Sequence, residues 1–169
     1  GLQLLFKYTT DSTTNVVQAA KTKAGFTVPN GEVIEKSTWQ SITDAADEHY
    51  EPGTFTSLIG WEWTSIPAGA NLHRVVFTNS DAKVAQSYQP FSSAISNYPE
   101  DLWQWLEKTS KVTSADFIAI PHNSNISRGF MFPSHNRLRD TAIDNDWATQ
   151  RAKWETVVEV TQVKGDSET

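Results

Sequence analysis

Residues 55–64 read Phe55-Thr56-Ser57-Leu58-Ile59-Gly60-Trp61-Glu62-Trp63-Thr64, an apolar, aromatic-rich run of strand composition with one carboxylate near its trailing end. Side chains alternate across a strand, so Leu58, Gly60 and Glu62 share one face and Ile59, Trp61 and Trp63 the other, where the large rings are expected to pack against helices. This parity predicts that Glu62 points inward. A carboxylate in that setting must be paired, hydrogen-bonded or bound to a cation, because an isolated buried charge is costly. A second run, Phe117-Ile118-Ala119-Ile120-Pro121-His122-Asn123, also ends on a metal-capable side chain. In sheets of parallel strands, groups that do chemistry collect where strands end and loops begin.

Outward from these two runs, strand and helix patterns alternate. Asp11-Ser12-Thr13-Thr14 offers caps for a helix through Val17 and Ala20 to Lys23, stopped at Gly25. A second helix is expected from about residue 35 to 50, with Trp39, Ile42, Ala46 and Tyr50 on one stripe and Pro52-Gly53 ending it. Leu72 to Phe77 follows residues 55–63 across a Pro/Gly/Asn loop short enough for a hairpin. Residues 81–98 are polar and irregular. Pro99 opens a helix to about Ser110, residues 117–120 form a short buried strand, and 123–140 form a long Asn/Ser/Gly/Arg loop of the kind that is usually functional or mobile. A helix near residues 144–155 and a last strand, Val157 to Val163, complete the pattern. This alternation predicts an α/β fold with a mostly parallel sheet and one hairpin. Asp166 and Glu168 follow the last strand with no covering helix, so the segment is expected to belong to a longer polypeptide.

Composition narrows the class. The 169 residues, 38% hydrophobic, suit one globular unit with a real core. With 14 basic against 20 acidic residues and no basic stripe, a nucleic-acid partner is not expected. Cysteine is absent, which excludes disulfide frameworks, thiolate metal sites and thiol nucleophiles, so any metal must be held by His and carboxylates. No apolar run approaches membrane-spanning length and the start, Gly1-Leu2-Gln3-Leu4-Leu5-Phe6, lacks the form of an export signal; a soluble chain of undetermined compartment is expected. The seven Trp are expected in the core, the alternative being an exposed stacking platform for a carbohydrate that also uses residues 123–140.

The residues able to carry chemistry are few. Glu62 and His122 are the expected metal ligands, with an ion pair from Glu62 to Arg74 or Lys164 as the structural alternative. If the hairpin forms, His73 flanks the same loop as Glu62 and joins it at one rim. Oxygen and nitrogen ligands imply zinc, manganese, iron or magnesium, and imidazole favours the transition ions. Asn123 follows His122 directly, and Arg128 in the next loop has the geometry to grip an anionic small molecule, or is simply a solvated arginine. Glu159 lies in an otherwise apolar run, while Lys164, Asp166 and Glu168 trail from it. His49 and His135 carry no supporting pattern. Asn125-Ile126-Ser127 has the form of a glycosylation acceptor, and no phosphate loop, nucleophile elbow or His-Glu-x-x-His pair is present.

These segments, together with Asn71-Leu72-His73-Arg74-Val75-Val76-Phe77, Pro99-Glu100-Asp101-Leu102-Trp103, Gly129-Phe130-Met131-Phe132 and Trp154-Glu155 through Glu159 to Thr169, resemble successive motifs of the family numbered 3604 among domains of unknown function. That family in turn resembles the PHP metallohydrolases, whose fold is a distorted (β/α) barrel with two or three metal ions at the strand ends. The resemblance implies metal ligation by Glu62 and His122 and matches His73, Glu159, Lys164, Asp166 and Glu168 to recurring positions without fixing their roles; His73, Glu159 and Asp166 are the expected catalytic residues, and Asn123, Arg128 and Lys164 the expected substrate contacts. It implies a metal-dependent hydrolase acting on a phosphoester, with residues 1–169 a single piece of a larger domain and part of a barrel. The His-x-His and Asp-His pairs that open family members do not occur here, so the metal site is expected to be incomplete, the segment alone inactive, and its exposed strand edges prone to self-association.

Overall fold

The computed structural model describes residues 15–21 and 28–167; the expected caps at 11–14, the stop at Gly25, and Glu168 lie outside the described residues. Helix α1 (Val16–Ala20) starts at Asn15, whose side chain accepts from the Val17 and Gln18 amides and so satisfies two donors a helix start leaves open. Helix α2 (Gly31–Glu48) buries Trp39 and Thr43 four residues apart, while Ile42 and Tyr50, expected on the same stripe, face solvent. The Trp39 indole explains which stripe wins, because its Nε1 donates to Ala85 O at 2.8 Å and turns the helix about that bond.

Strands β1 (Ile59–Trp63), β2 (Arg74–Thr78) and β3 (Phe117–Pro121) form one sheet in that order, and both pairings are antiparallel. The expected hairpin is present, with Ile59 opposite Thr78 and Trp63 opposite Arg74. The mostly parallel sheet and the partial barrel are not: among the described residues there are only this sheet and a two-stranded ribbon. The cause lies between β2 and β3. A single helix after β2 would return the chain to the far end of the sheet and make the next strand parallel. Here residues 82–98, containing the short α3 (Ala82–Ala85), already travel that distance. Trp39 Nε1 donates to Ala85 O, Trp61 Nε1 to Phe91 O, Trp63 Nε1 to Ser96 O and Ser65 Oγ to Asn97 O, so the segment climbs alongside β1 from bottom to top. Helix α4 (Pro99–Thr113) then brings the chain back down, its 15 residues covering about 22 Å. Strand β3 enters beside Thr78, where β2 left.

Pro99 at the first turn and Glu100 and Asp101 beside the positive helix end favour the start of α4, and Ser114 in a left-handed conformation ends it. Leu102, Trp103, Leu106 and Thr109 form its buried face against the inner side of the sheet, where Trp63, Val76 and Ala119 are fully buried. The opposite sheet face carries Leu58, Gly60, Val75, Phe77, Ile118 and Ile120. Gly60 is needed there, since a β-carbon would stand 2.7 Å from both the Phe77 ring and Val76 O.

Helix α5 (Asn145–Trp154) follows the 123–140 segment, which is packed and not loose: Ser127, Phe130, Met131, Asn136 and Leu138 are buried. The final strand expected over 157–163 does not form. Residues 155–160 make no ladder; one backbone bond, Glu159 N–H to Pro121 O at 3.0 Å, touches β3, and β4 (Thr161–Gln162) folds back on β5 (Gly165–Asp166). The valines that favour a strand by composition remain near half exposed (Val157 51%, Val158 45%, Val160 44%), because β-branched side chains stabilise a strand through packing on a sheet face, and no such face covers them.

The inner face also holds an ion pair that locks the layers together. Arg74 Nε donates to Glu155 Oε1 at 2.9 Å with both side chains 1% exposed, Trp103 Nε1 donates to the same oxygen, and Arg151 approaches Glu155 Oε2 at 3.0 Å. Strand β2, helix α4 and the end of α5 thus meet on one carboxylate. Removing one partner of a buried pair strands the other charge, so Glu155→Ala is expected to lower the unfolding free energy by about 3–5 kcal/mol in urea titrations. A loss below 1 kcal/mol would show that Arg74 finds another partner.

Candidate metal centre

Strands β1 and β3 run in the same direction on either side of β2, so the exit of β1, the entry of β2 and the exit of β3 share one edge of the sheet. Glu62, His73 and His122 stand there on the open face. Glu62 Oε1 accepts from His122 Nε2 at 2.9 Å and from His73 Nδ1 at 3.2 Å, and Glu62 Oε2 accepts from Thr64 Oγ1 at 2.7 Å. The two imidazole rings meet edge to face with centroids 5.6 Å apart. One ligand atom from each residue lies within 4.8 Å of the other two, the only such group found among the described residues.

The expectation that Glu62 points inward is corrected by this arrangement: its side chain is 42% exposed, while His73 and His122 are 12% and 11% exposed. Alternation divides β1 as expected, but Trp61 and Trp63 claim the inner side, and the carboxylate faces the open one. The Arg74 ion-pair alternative falls, since Arg74 lies on the inner face bound to Glu155.

Burial and close neighbours set the protonation states of these groups. Burial pushes the Glu62 carboxyl up, but the Thr64 hydroxyl, the His73 charge and the His122 hydrogen bond outweigh it and hold the group below its ordinary value. Burial holds the His73 imidazole below its ordinary value, opposed in part by Glu62 and reinforced by His122 and Lys164. Near neutral pH the site therefore presents an ionised carboxylate and a neutral imidazole, the forms a cation binds. His73 Nε2 is buried without a hydrogen-bond partner, and the His122 Nδ1 side has Ile120 O at 3.4 Å. A backbone acceptor on the rear nitrogen is the usual orienting contact of a ligating imidazole.

The other expected site residues divide by position. Asn123 is fully buried in a left-handed conformation (φ 57°), and its N–H donates to Glu159 Oε2 at 3.1 Å. Glu159 is beside the cluster and not in it. Lys164 sits at the turn of the β4–β5 ribbon, where its carbonyl accepts from Asn125 Nδ2 at 3.2 Å and its charge reaches His73. Asp166 lies on β5 opposite Thr161. Arg128 is drawn away: its guanidinium donates to Ala68 O at 3.2 Å and fastens the loop to the turn Pro67–Gly69. His135 pairs with Asp140 at the surface. Thr64 is the site residue that sequence reasoning missed, although a hydroxyl two residues beyond Glu62 on the same strand face is what the period of two selects.

Both shifted groups carry the same sign. Their folded values lie below their unfolded ones, so each contributes stability that is present above its ordinary value, 6.5 for His73 and 4.5 for Glu62, and is lost as pH falls through the folded value. The melting temperature of the metal-free protein is expected to fall on acidification from pH 7.5 to 4, with His73→Asn flattening the upper part of the curve. A melting temperature that rises over this range would contradict the assignment.

No helix among the described residues is long and apolar enough to cross a membrane. No curated protein and no solved structure matches the chain. Residues 2–169 match the family described as Protein of unknown function (DUF3604). The match takes in all three strands of the sheet and every residue of the cluster, and the chain belongs to that family, DUF3604.

Proposed function

We propose that this chain supplies a divalent-cation site to a metal-dependent hydrolase, with a phosphoester as the favoured substrate. The observation that carries the reading is the convergence of Glu62, His73 and His122 from three strands onto one exposed edge. One carboxylate and two imidazoles form the donor set of catalytic zinc sites, which leave a further position open, and of non-haem iron sites. The set fits zinc or iron better than magnesium, which prefers oxygen alone.

A bound ion would supply an activated water and an electrophile for a phosphoryl oxygen. The chain's own groups do the rest. Thr64 holds one carboxylate oxygen of Glu62, leaving the other for the ion. Lys164, whose charge reaches His73, favours an anionic group at the same edge. A second ion would need donors beyond these three, so turnover is expected only where such donors are supplied. The phosphoester assignment rests on the resemblance of the sequence motifs to PHP metallohydrolases. A carbohydrate platform would need exposed coplanar rings, and all seven Trp are buried or half-buried, several in edge-to-face contacts.

Thermal unfolding with zinc, manganese, iron(II) or magnesium tests the site. Zinc at a hundredfold excess over its Kd is expected to add about 2.7 kcal/mol, and Glu62→Gln and His122→Ala are each expected to abolish the shift. No shift with any of the four ions, or an equal shift in both variants, would overturn the proposal.

A further inference from the structure

We infer that Glu159 is a positioning residue that grips the chain on both sides of His122 and so sets the imidazole for the ion; the inference rests on the proposed metal site. Glu159 N–H donates to Pro121 O at 3.0 Å, and Glu159 Oε2 accepts from Asn123 N–H at 3.1 Å. His122 lies between these two anchors. A neighbouring residue that bonds to positions on either side of its partner is the pattern of a parallel ladder. Here the second rung is made by a side-chain carboxylate, and among the described residues no further strand flanks β3 in its sheet. Gln162 Nε2 donates to the same oxygen at 2.7 Å, which fixes the carboxylate and ties it to the β4–β5 ribbon.

The backbone just past His122 makes this grip necessary. Asn123 has φ 57°, a left-handed conformation that asparagine enters more readily than other residues with a β-carbon but that still costs more than it would for glycine. Its own side chain is no help: both amide atoms are buried with no hydrogen-bond partner. The charge-assisted bond from its N–H to Glu159 therefore holds the turn on the amide side, while Asn123 O accepts from Ile126 N–H at 3.2 Å on the other. If that bond is lost, Asn123 relaxes toward an ordinary conformation and His122, the last residue before the turn, swings with it. Glu159 is not one of the three converging groups, and its Oε2 is turned to Asn123 N–H and Gln162 Nε2, which places it behind His122.

Zinc affinity measured by competition with a chromophoric chelator separates the possibilities in the wild type, Glu159→Gln, Glu159→Ala and the double variant Glu159→Ala/Asn123→Gly. The Gln amide oxygen still accepts from Asn123 N–H, so Glu159→Gln is expected to bind zinc within a few-fold of wild type. Glu159→Ala is expected to lose about 10–100-fold, the usual cost of removing an orienting contact behind a ligand. Asn123→Gly removes the need for an anchor, since glycine adopts the left-handed conformation freely, and is expected to restore most of that loss. If Glu159 were itself a ligand, Gln would fail as badly as Ala and Gly would restore nothing. Equal affinity in wild type and Glu159→Ala would overturn the inference while leaving the metal site standing. If wild type binds no zinc, the metal reading fails, and the grip is judged on the metal-free protein by imidazole NMR. There the His122 N–H signal is expected to be kept in Glu159→Gln and shifted in Glu159→Ala, and no change in either variant would sink it.

Discussion

The register of three short strands fixes everything at the candidate site. Trp63 lies opposite Arg74, and Arg74 opposite Pro121. One further step along both pairings places Thr64 and His122 on either side of His73, with Glu62 on the diagonal. Adjacent strands are about 4.8 Å apart, so a carboxylate on β1 and an imidazole after β3 meet only by reaching over the middle strand, where His73 joins them. A slip of one residue in either pairing would send Glu62 or His122 to the inner face and dissolve the cluster.

That register is held from below. His73 faces outward and Arg74, the next residue, faces inward to a carboxylate that also receives Trp103 and Arg151. The open face can thus carry polar groups of marginal stability because the residue beneath them is fastened to two helices. Gly60 serves the same end further down the sheet, letting the Phe77 ring lie flat across β1 and keep the two strands in step. Ligands mounted on strand ends and backed by a packed layer are held more closely than ligands on loops.

The parts of this arrangement that depend on local period are readable from sequence. Alternation in residues 58–63 assigns the faces of β1, the short Pro/Gly/Asn loop announces the hairpin, and together they place His73 beside Glu62. Strand direction is not readable, because nothing local distinguishes residues 82–98, an irregular segment that crosses the sheet, from a loop that stays at one end. It is the indole N–H groups of Trp39, Trp61 and Trp63 that draw this segment along β1, and such long-range bonds leave no mark on spacing. The strand expected at 157–163 fails for a related reason: β-propensity needs a neighbouring strand on which to act. What β3 receives in its place is the backbone and carboxylate of Glu159. The inward orientation expected of Glu62 reverses because parity assigns residues to faces without saying which face is covered.

X-ray absorption at the zinc edge on the zinc-loaded chain tests the central claim most directly, since it counts the atoms around the ion. The account predicts two imidazole nitrogens at about 2.0–2.1 Å with carboxylate oxygen at about 2.0–2.2 Å, and loss of one imidazole in His73→Ala as well as in His122→Ala. An all-oxygen shell, or an imidazole count unchanged by both substitutions, would contradict it.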